Sequence, residues 1–233
     1  MRLSIILPTY NEERTIRQIL DGVLSASVDL PGETVEKEVI VVDDASSDRT
    51  AQIIGSDPRV KLVRHEKNQG KGAAIHTGLG HVTGDVVLIQ DADMEYSVED
   101  YPALLRPFVE SGAEVVYGSR FLKRRWPTGM HWSNYLANRL LTLMANVLYG
   151  AKITDEATCY KLFRAALIKS LPLRATGFEF CPEVTALVRL RHVPIYEVPI
   201  EYKGRRHADG KKVRWTDGIK SLLTLLRYRI RRA

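Results

Sequence analysis

The chain has 233 residues, 45% of them hydrophobic, enough for one substantial core and a single domain over 1–233. Its formal net charge of +6 gathers in Lys123-Arg124-Arg125, Arg205-Arg206 and Arg227 to Arg232, which keeps nucleic acid, an anionic membrane surface and phosphorylated substrates as candidate partners. Cys159 and Cys181 lack metal-ligand spacing, no apolar run reaches a membrane span and no signal peptide opens the chain, so a cytoplasmic protein with reduced thiols is expected, soluble or peripheral to a membrane.

In chain order, Leu3–Leu7 is a buried strand ended by Pro8. Asn11 is the expected N-cap of a helix with Ile16, Ile19, Leu20, Val23 and Leu24 on one face. Residues 28–37, with Pro31-Gly32, read as a loop before a second strand over 39–42. Ser47-Asp48 caps a short helix through Ile54, and 60–63 is a third strand. A glycine-opened helix over 70–82 leads to a fourth strand, 85–90. Ser97 starts a helix with Asp100 in capping-box position, and 114–117 is a fifth strand. The spacing predicts a helix over 132–149, with Leu136, Leu140, Leu143, Met144 and Val147 on one face and Gly150 as its stop. A strand over 159–163 and a helix over 182–191 follow. Then come an edge strand within 193–202 carrying Pro194 and Pro199, a basic loop over 203–213, and a last helix capped by Thr216. Alternating strands and helices predict an α/β fold with a mostly parallel central sheet flanked by helices.

Three strand ends carry polar residues: Pro8-Thr9-Tyr10-Asn11-Glu12, Val42-Asp43-Asp44 and Asp91-Ala92-Asp93. Such ends converge on one crevice at the carboxyl edge of a parallel sheet. Asp91 and Asp93, with Glu95 as a third oxygen ligand, offer a hard-oxygen site for Mg²⁺ or Mn²⁺, ions that accompany a sugar-nucleotide diphosphate; the alternative is a solvated turn. Arg120, after the fifth strand, is placed to neutralise a diphosphate leaving group, or is a surface arginine. Asp43 and Asp44 repel each other unless a base or ribose donor offsets them. Asn68-Gln69-Gly70-Lys71-Gly72 is neither a P-loop nor GxGxxG. Its glycines let a helix start pack near the sheet, and Lys71 is kept as a donor contact. All six histidines read as satisfied or exposed. The last helix, with Ile219, Leu222, Leu223, Leu226 and Ile230 on one side and arginines at its end, either packs on the core or docks on anionic lipid. The Leu140–Tyr149 face carries the same two readings.

These motifs, with Gly118-Ser119-Arg120, Thr154-Asp155 and the Arg205–Lys211 segment, resemble a family 2 glycosyltransferase of the GT-A fold. Within it the chain is similar to dolichyl- or polyprenyl-phosphate mannose and glucose synthases. The resemblance covers nearly the whole chain and is carried by the order and spacing of the motifs together. It implies that Pro8, Tyr10, Glu12, Val42 and Asp44 hold base and ribose, and that Asp91, Ala92 and Asp93 bind diphosphate and metal. It also implies that Arg120, Arg205 and Lys211 contact phosphates and that Asp155 lies near the acceptor. Residues 1–120 would then form the nucleotide-sugar half and 121–233 the acceptor half. Glu95 and Gly177-Phe178-Glu179 depart from the mannose type, whereas Thr158-Cys159-Tyr160-Lys161-Leu162-Phe163 looks closer to the glucose type, so UDP-glucose and GDP-mannose both stand as donors.

The expected reaction is an inverting, metal-dependent hexosyl transfer to polyprenyl phosphate. Asp93, Asp155 and Arg120 are the catalytic candidates, and Asn134, Asn138 and Arg139 would meet the acceptor phosphate. Many relatives carry membrane-spanning helices after this domain, so a lipid acceptor is expected to be reached peripherally, on the cytoplasmic face. The alternatives are a soluble or glycan acceptor and a non-catalytic nucleotide-sugar or membrane-surface module. A nucleic-acid partner is not expected, because no aromatic-basic recognition motif accompanies the charge.

Overall fold

The computed structural model describes residues 1–30, 32–204 and 215–230. Its strands are β1 (Arg2–Thr9), β2 (Glu36–Asp43), β3 (Lys61–Arg64), β4 (Val86–Ile89), β5 (Val115–Ser119), β6 (Lys161–Arg164) and β7 (Tyr196–Pro199). They form one sheet in the order β3-β2-β1-β4-β6-β5-β7. All pairs are parallel except those of β6, which runs antiparallel to β4 and β5. The helices are α1 (Ile16–Ser25), α2 (Thr50–Gly55), α3 (Lys71–Leu79), α4 (Tyr101–Glu110), α5 (Trp132–Tyr149), α6 (Ala165–Ser170), α7 (Phe180–Leu190) and α8 (Trp215–Ile230). The expected mostly parallel α/β architecture is present. β6 matches the strand expected over 159–163; its antiparallel direction and the short α6 are what the apolar pattern did not give.

Strands in the middle of such a sheet are covered on both faces, so continuous aliphatic runs suit them. Leu3, Ile5, Ile6 and Leu7 are fully buried, as are Val86, Val87 and Leu88. Each such side chain contributes about 1.5–3 kcal/mol on burial. Gly78 of α3 makes the close approach to the sheet, because a Cβ there would lie 2.6 Å from Ile6 Cγ2.

Three local expectations change. Asn11 does not cap α1; Thr15 holds that position, and Asn11 takes a left-handed φ of 48° with its Oδ1 accepting from the Ser47 N–H at 2.8 Å. Ser97 does cap, accepting from Glu99 N–H, but through a short 3₁₀ turn over 98–100. Asp100 does not reach back to it: its carboxylate accepts from the Glu201 N–H instead, so no capping box forms. α5 carries two readings from its sequence, core packing or a lipid-facing stripe. Its buried residues are Asn138, Leu141, Thr142, Ala145 and Tyr149, while Leu136, Leu140, Leu143 and Val147 face outward. Gly150 ends the helix in the left-handed conformation, as its position predicts. Thr216 falls inside α8 rather than before it.

Candidate active site

In register, Pro8 pairs with Val42 and Thr9 with Asp43, so the tips of β1 and β2 lie side by side. The turn after β4 joins them: Thr15 Oγ donates to the Ala92 carbonyl at 2.8 Å and to Glu12 Oε2 at 3.0 Å. Gln90 fixes the same turn from beneath. Its Oε1 accepts from the Tyr101 and Tyr160 hydroxyls, and its Nε2 donates to the Asp91 carbonyl. Asn11, Ala45 and Met94, one at each of these three tips, have φ of 48°, 61° and 60°. Left-handed backbone at non-glycine residues is costly and clusters at functional sites.

The two adjacent carboxylates at the end of β2 have partners within the protein. Asp43 is fully buried and pairs with Arg64 Nε at 3.1 Å. Asp44 is 3% exposed. Its Oδ1 meets His65 Nδ1 at 2.7 Å and the Gln69 N–H at 2.8 Å, and its Oδ2 accepts from the Gly70 N–H at 2.7 Å. Asp44 thus anchors the 65–70 loop, and His65 continues to Thr77 Oγ1 at 2.8 Å. His76 departs from the expectation of satisfied histidines. Its Nε2 is buried with no hydrogen-bond partner among the described residues, and burial pulls its pKa down.

That loop leads into Lys71, whose Nζ lies 2.6 Å from Asp91 Oδ1 and 5.7 Å from the Phe178 ring centroid. Burial opposes the Lys71 ammonium, but the Asp91 carboxylate outweighs it and holds the pKa above the ordinary lysine value. Gly70 and Gly72 face a crossing backbone segment, not the sheet. A Cβ at Gly72 would lie 2.3 Å from the Ala175 carbonyl oxygen, and one at Gly70 2.4 Å from that of Thr176.

Asp91 and Asp93 put hard carboxylate oxygens on one turn, a donor chemistry that fits Mg²⁺ or Mn²⁺. Among the described residues no group of three or more His, Cys, Asp and Glu side chains gathers into a metal-holding cluster. An ion held by one or two carboxylates and completed by substrate phosphates needs no such cluster. Glu95, expected as a third ligand, is 8% exposed and accepts from the Tyr202 hydroxyl at 2.9 Å, under the Tyr96–Tyr202 edge contact.

Tyr202 also connects the turn to Arg120, whose guanidinium lies 5.1 Å from its ring centroid. Arg120 grips Asp155 through Nε and Nη2, both at 2.7 Å, and its backbone N–H donates to the same carboxylate at 3.0 Å. Burial opposes the guanidinium, and Asp155 more than restores it, so its pKa is raised. Asp155 is fully buried and also receives Asn138 Nδ2 at 2.8 Å. Asp155 and Asn138, expected to face an acceptor, are therefore placed in the framework behind the site. Arg139 is exposed beside Phe121, 5.7 Å from its ring centroid, and Asn134 is half-buried one turn before Asn138. Pro8 and Tyr10 are half-buried at the β1 tip, and Val42 is buried. Arg205 and Lys211 lie outside the described residues.

Sequence reasoning missed Glu197 of β7. Its two oxygens accept from the Thr154 and Asp155 N–H groups at 2.7 and 3.1 Å, clamping the Asp155 turn, and burial raises its pKa. A charge in the middle of an otherwise apolar edge strand was the available signal. Thr15, Gln90 and Tyr202 were missed as well, because their partners are distant in sequence.

With this geometry in place, comparison with known proteins is informative. The sequence model of the family described as "Glycosyl transferase family 2" matches residues 4–171. The chain is 28% identical over 221 residues to a dolichol-phosphate mannosyltransferase of Pyrococcus furiosus, covering 91% of this chain and 59% of that one. It is 32% identical over 206 residues to the low-salt glycan biosynthesis hexosyltransferase Agl6 of Haloferax volcanii, covering 87% of this chain and 48% of that one. It thus spans roughly half to three-fifths of the length of these two relatives. Among solved structures it resembles glucosyl-3-phosphoglycerate synthase from Mycobacterium tuberculosis, with a TM-score of 0.76 at 22% identity over 98% of this chain and 80% of that one. The sheet has the GT-A architecture of that neighbour, and the chain belongs to glycosyl transferase family 2.

Proposed function

We propose that the protein transfers a hexose from a nucleoside-diphosphate sugar to a polyprenyl phosphate, with inversion, at the cytoplasmic face of a membrane. The observation that carries this reading is the meeting of the β1, β2 and β4 tips beside the Lys71–Asp91 pair, in a chain similar to dolichol-phosphate transferases. Residues 1–120 would hold the donor. Pro8, Tyr10, Glu12 and Val42 would border base and ribose, and Asp91, Ala92 and Asp93 the diphosphate. Residues 121–233 would hold the acceptor, with Arg139 and Asn134 nearest its phosphate. Both UDP-glucose and GDP-mannose suit the relatives, which include a dolichyl-phosphate β-glucosyltransferase of Trichomonas vaginalis as well as the mannosyltransferase.

The acceptor phosphate is already an anion near neutral pH, so the step needs no strong general base. Its oxygen attacks the anomeric carbon from the face opposite the diphosphate. The new carbon–oxygen bond forms as the bond to the diphosphate breaks, and the nucleoside diphosphate leaves with the electron pair. Lys71 sits beside Asp91 and adds positive charge next to the leaving group, while the Asp155-held Arg120 and Tyr202 fix the far wall. A divalent ion on Asp91 and Asp93 would supply further neutralisation of the diphosphate, as Mn²⁺ was present with UDP-glucose in the mycobacterial neighbour.

The test uses radiolabelled UDP-glucose and GDP-mannose with polyprenyl phosphate, followed by organic extraction. Label in the organic phase that vanishes in Asp91→Ala/Asp93→Ala protein supports the reading. Label appearing only in a water-soluble product assigns a soluble or glycan acceptor. Donor binding without any product would leave a nucleotide-sugar binding module.

A further inference from the structure

We propose that the 122–132 segment, α5 and α8 form one surface that docks the protein on an anionic lipid bilayer. Nearly all the large hydrophobic side chains left exposed among the described residues lie there; only Val109 and Tyr196 lie elsewhere. On α5, Trp132, Leu136, Leu140, Leu143 and Val147 recur at spacings of four and three. On α8, Trp215, Ile219, Leu223, Leu226 and Ile230 do the same. At about 100° per residue each set is one stripe. Each stripe lies roughly opposite its helix's buried side, marked by Leu141 and Ala145 on α5 and by Ser221 and Leu225 on α8. The two helices pack together, and the Tyr149 hydroxyl of α5 donates to the Leu225 carbonyl of α8. Both therefore carry apolar side chains where a water-facing helix carries polar ones.

Charge and tryptophan placement select the occupant. No Asp or Glu occurs between Glu114 and Asp155. Arg124, Arg125 and Arg139 are exposed on this stretch, and Lys220, Arg227 and Arg229 are exposed at the two edges of the α8 stripe. Two copies meeting through this face would bring these cations together, whereas an anionic headgroup layer compensates them. All three tryptophans of the chain, Trp126, Trp132 and Trp215, are exposed here, at helix starts and in the loop. Amphipathic indoles of this kind settle at headgroup depth. The inner side of α5 carries Asn138, hydrogen-bonded to Asp155, so the docked surface backs directly onto the site. No helix among the described residues is long and apolar enough to cross a membrane, so the contact is one of lying on the bilayer.

The choice of partner rests on the lipid-acceptor reading above, but the test does not need turnover. Vesicle flotation compares phosphatidylglycerol-containing vesicles with pure phosphatidylcholine, for wild type and for Leu136→Glu/Leu140→Glu and Leu223→Glu proteins. All three leucines are exposed, so melting temperature and donor-induced thermal shift should be unchanged. The expected result is flotation with anionic vesicles that weakens with salt and with neutral lipid, and that falls at least about tenfold in both variants. Wild type that floats with neither vesicle, or variants that float like wild type, would overturn the proposal. So would a lipid-free dimer, seen by sedimentation, that the same substitutions dissociate, because the face would then belong to a second copy. A protein that floats but gives no organic-phase sugar refutes the acceptor reading alone. One that glycosylates detergent-dispersed polyprenyl phosphate but never floats refutes the docking surface alone.

Discussion

Around β1 and β4 the interior is mostly aliphatic: Leu3, Ile5 and Ile6 pair with Val86, Leu88 and Ile89 in one parallel register. Around β5 and β6 the aliphatic and aromatic Val115, Val116, Leu162 and Phe163 share it with buried charges and hydroxyls. Lys161 is 1% exposed, with Nζ 2.6 Å from the Glu156 carbonyl and 3.6 Å from the Tyr117 ring centroid. Thr185 Oγ1 donates to Glu156 Oε1, and Arg120, Asp155 and Asn138 complete a second buried network nearby. The first region is stabilised by surface removed from water, which is lost in proportion to the carbon deleted. The second is stabilised by matched charges and hydrogen bonds, and removing one partner leaves the other stranded. The polar region lies under α5 and behind the proposed acceptor half, where position counts for more than bulk.

The largest expected effect is Asp155→Ala, which leaves the buried Arg120 guanidinium unpaired. Urea unfolding should show a loss of about 3–5 kcal/mol, and a loss below about 1 kcal/mol would erase the contrast between the regions. Next comes Ile6→Ala in the aliphatic region, with an expected cost of about 2–5 kcal/mol by the same measurement. There the series Ile6→Val, Ile6→Ala should scale with the carbons removed, which Asp155→Asn, Asp155→Ala should not. Gly72→Ala should cost about 1–3 kcal/mol through overpacking on the Ala175 carbonyl. Because Lys71 adjoins it, the thermal shift given by a nucleotide sugar should shrink too, and an unchanged shift would separate the loop from the donor site. The smallest effect is one of slope. Burial raises the Glu156 pKa in the folded state, so the folded protein binds more protons than the unfolded chain above the ordinary glutamate value. Stability from this group therefore falls as pH rises from that value through the raised one. Glu156→Gln should flatten that fall, and a pH–stability profile parallel to wild type would show that Glu156 is not its source.

The two regions also differ in how far they were legible. Strands with both faces covered need continuous aliphatic runs, so β1, β2 and β4 and their polar tips could be read directly. In α5 the amphipathic rule misleads because both sides are apolar or small. The leucine stripe is the stronger periodic signal, yet Asn138, Thr142 and Ala145 are what pack inward. Partners far apart in sequence were invisible for a simpler reason. Nothing near Asp44 announces His65, and nothing near Thr154 announces Glu197; only the folded chain brings them within hydrogen-bonding range.

The position of β6 bears on how the polypeptide is made. β4 and β5 are not paired with each other, since the seat between them is filled by residues 161–164 running the opposite way. When synthesis has passed residue 120, β4 has a bare edge and β5 has no sheet to join. Both wait for some forty more residues, including the whole of α5 with its greasy outer stripe, to leave the ribosome. Unpaired edges beside an apolar helix are an aggregation hazard, and long-range pairing is slow. The sheet built from residues 1–120 therefore keeps an open edge at β4 until residues 161–164 arrive to pair with it.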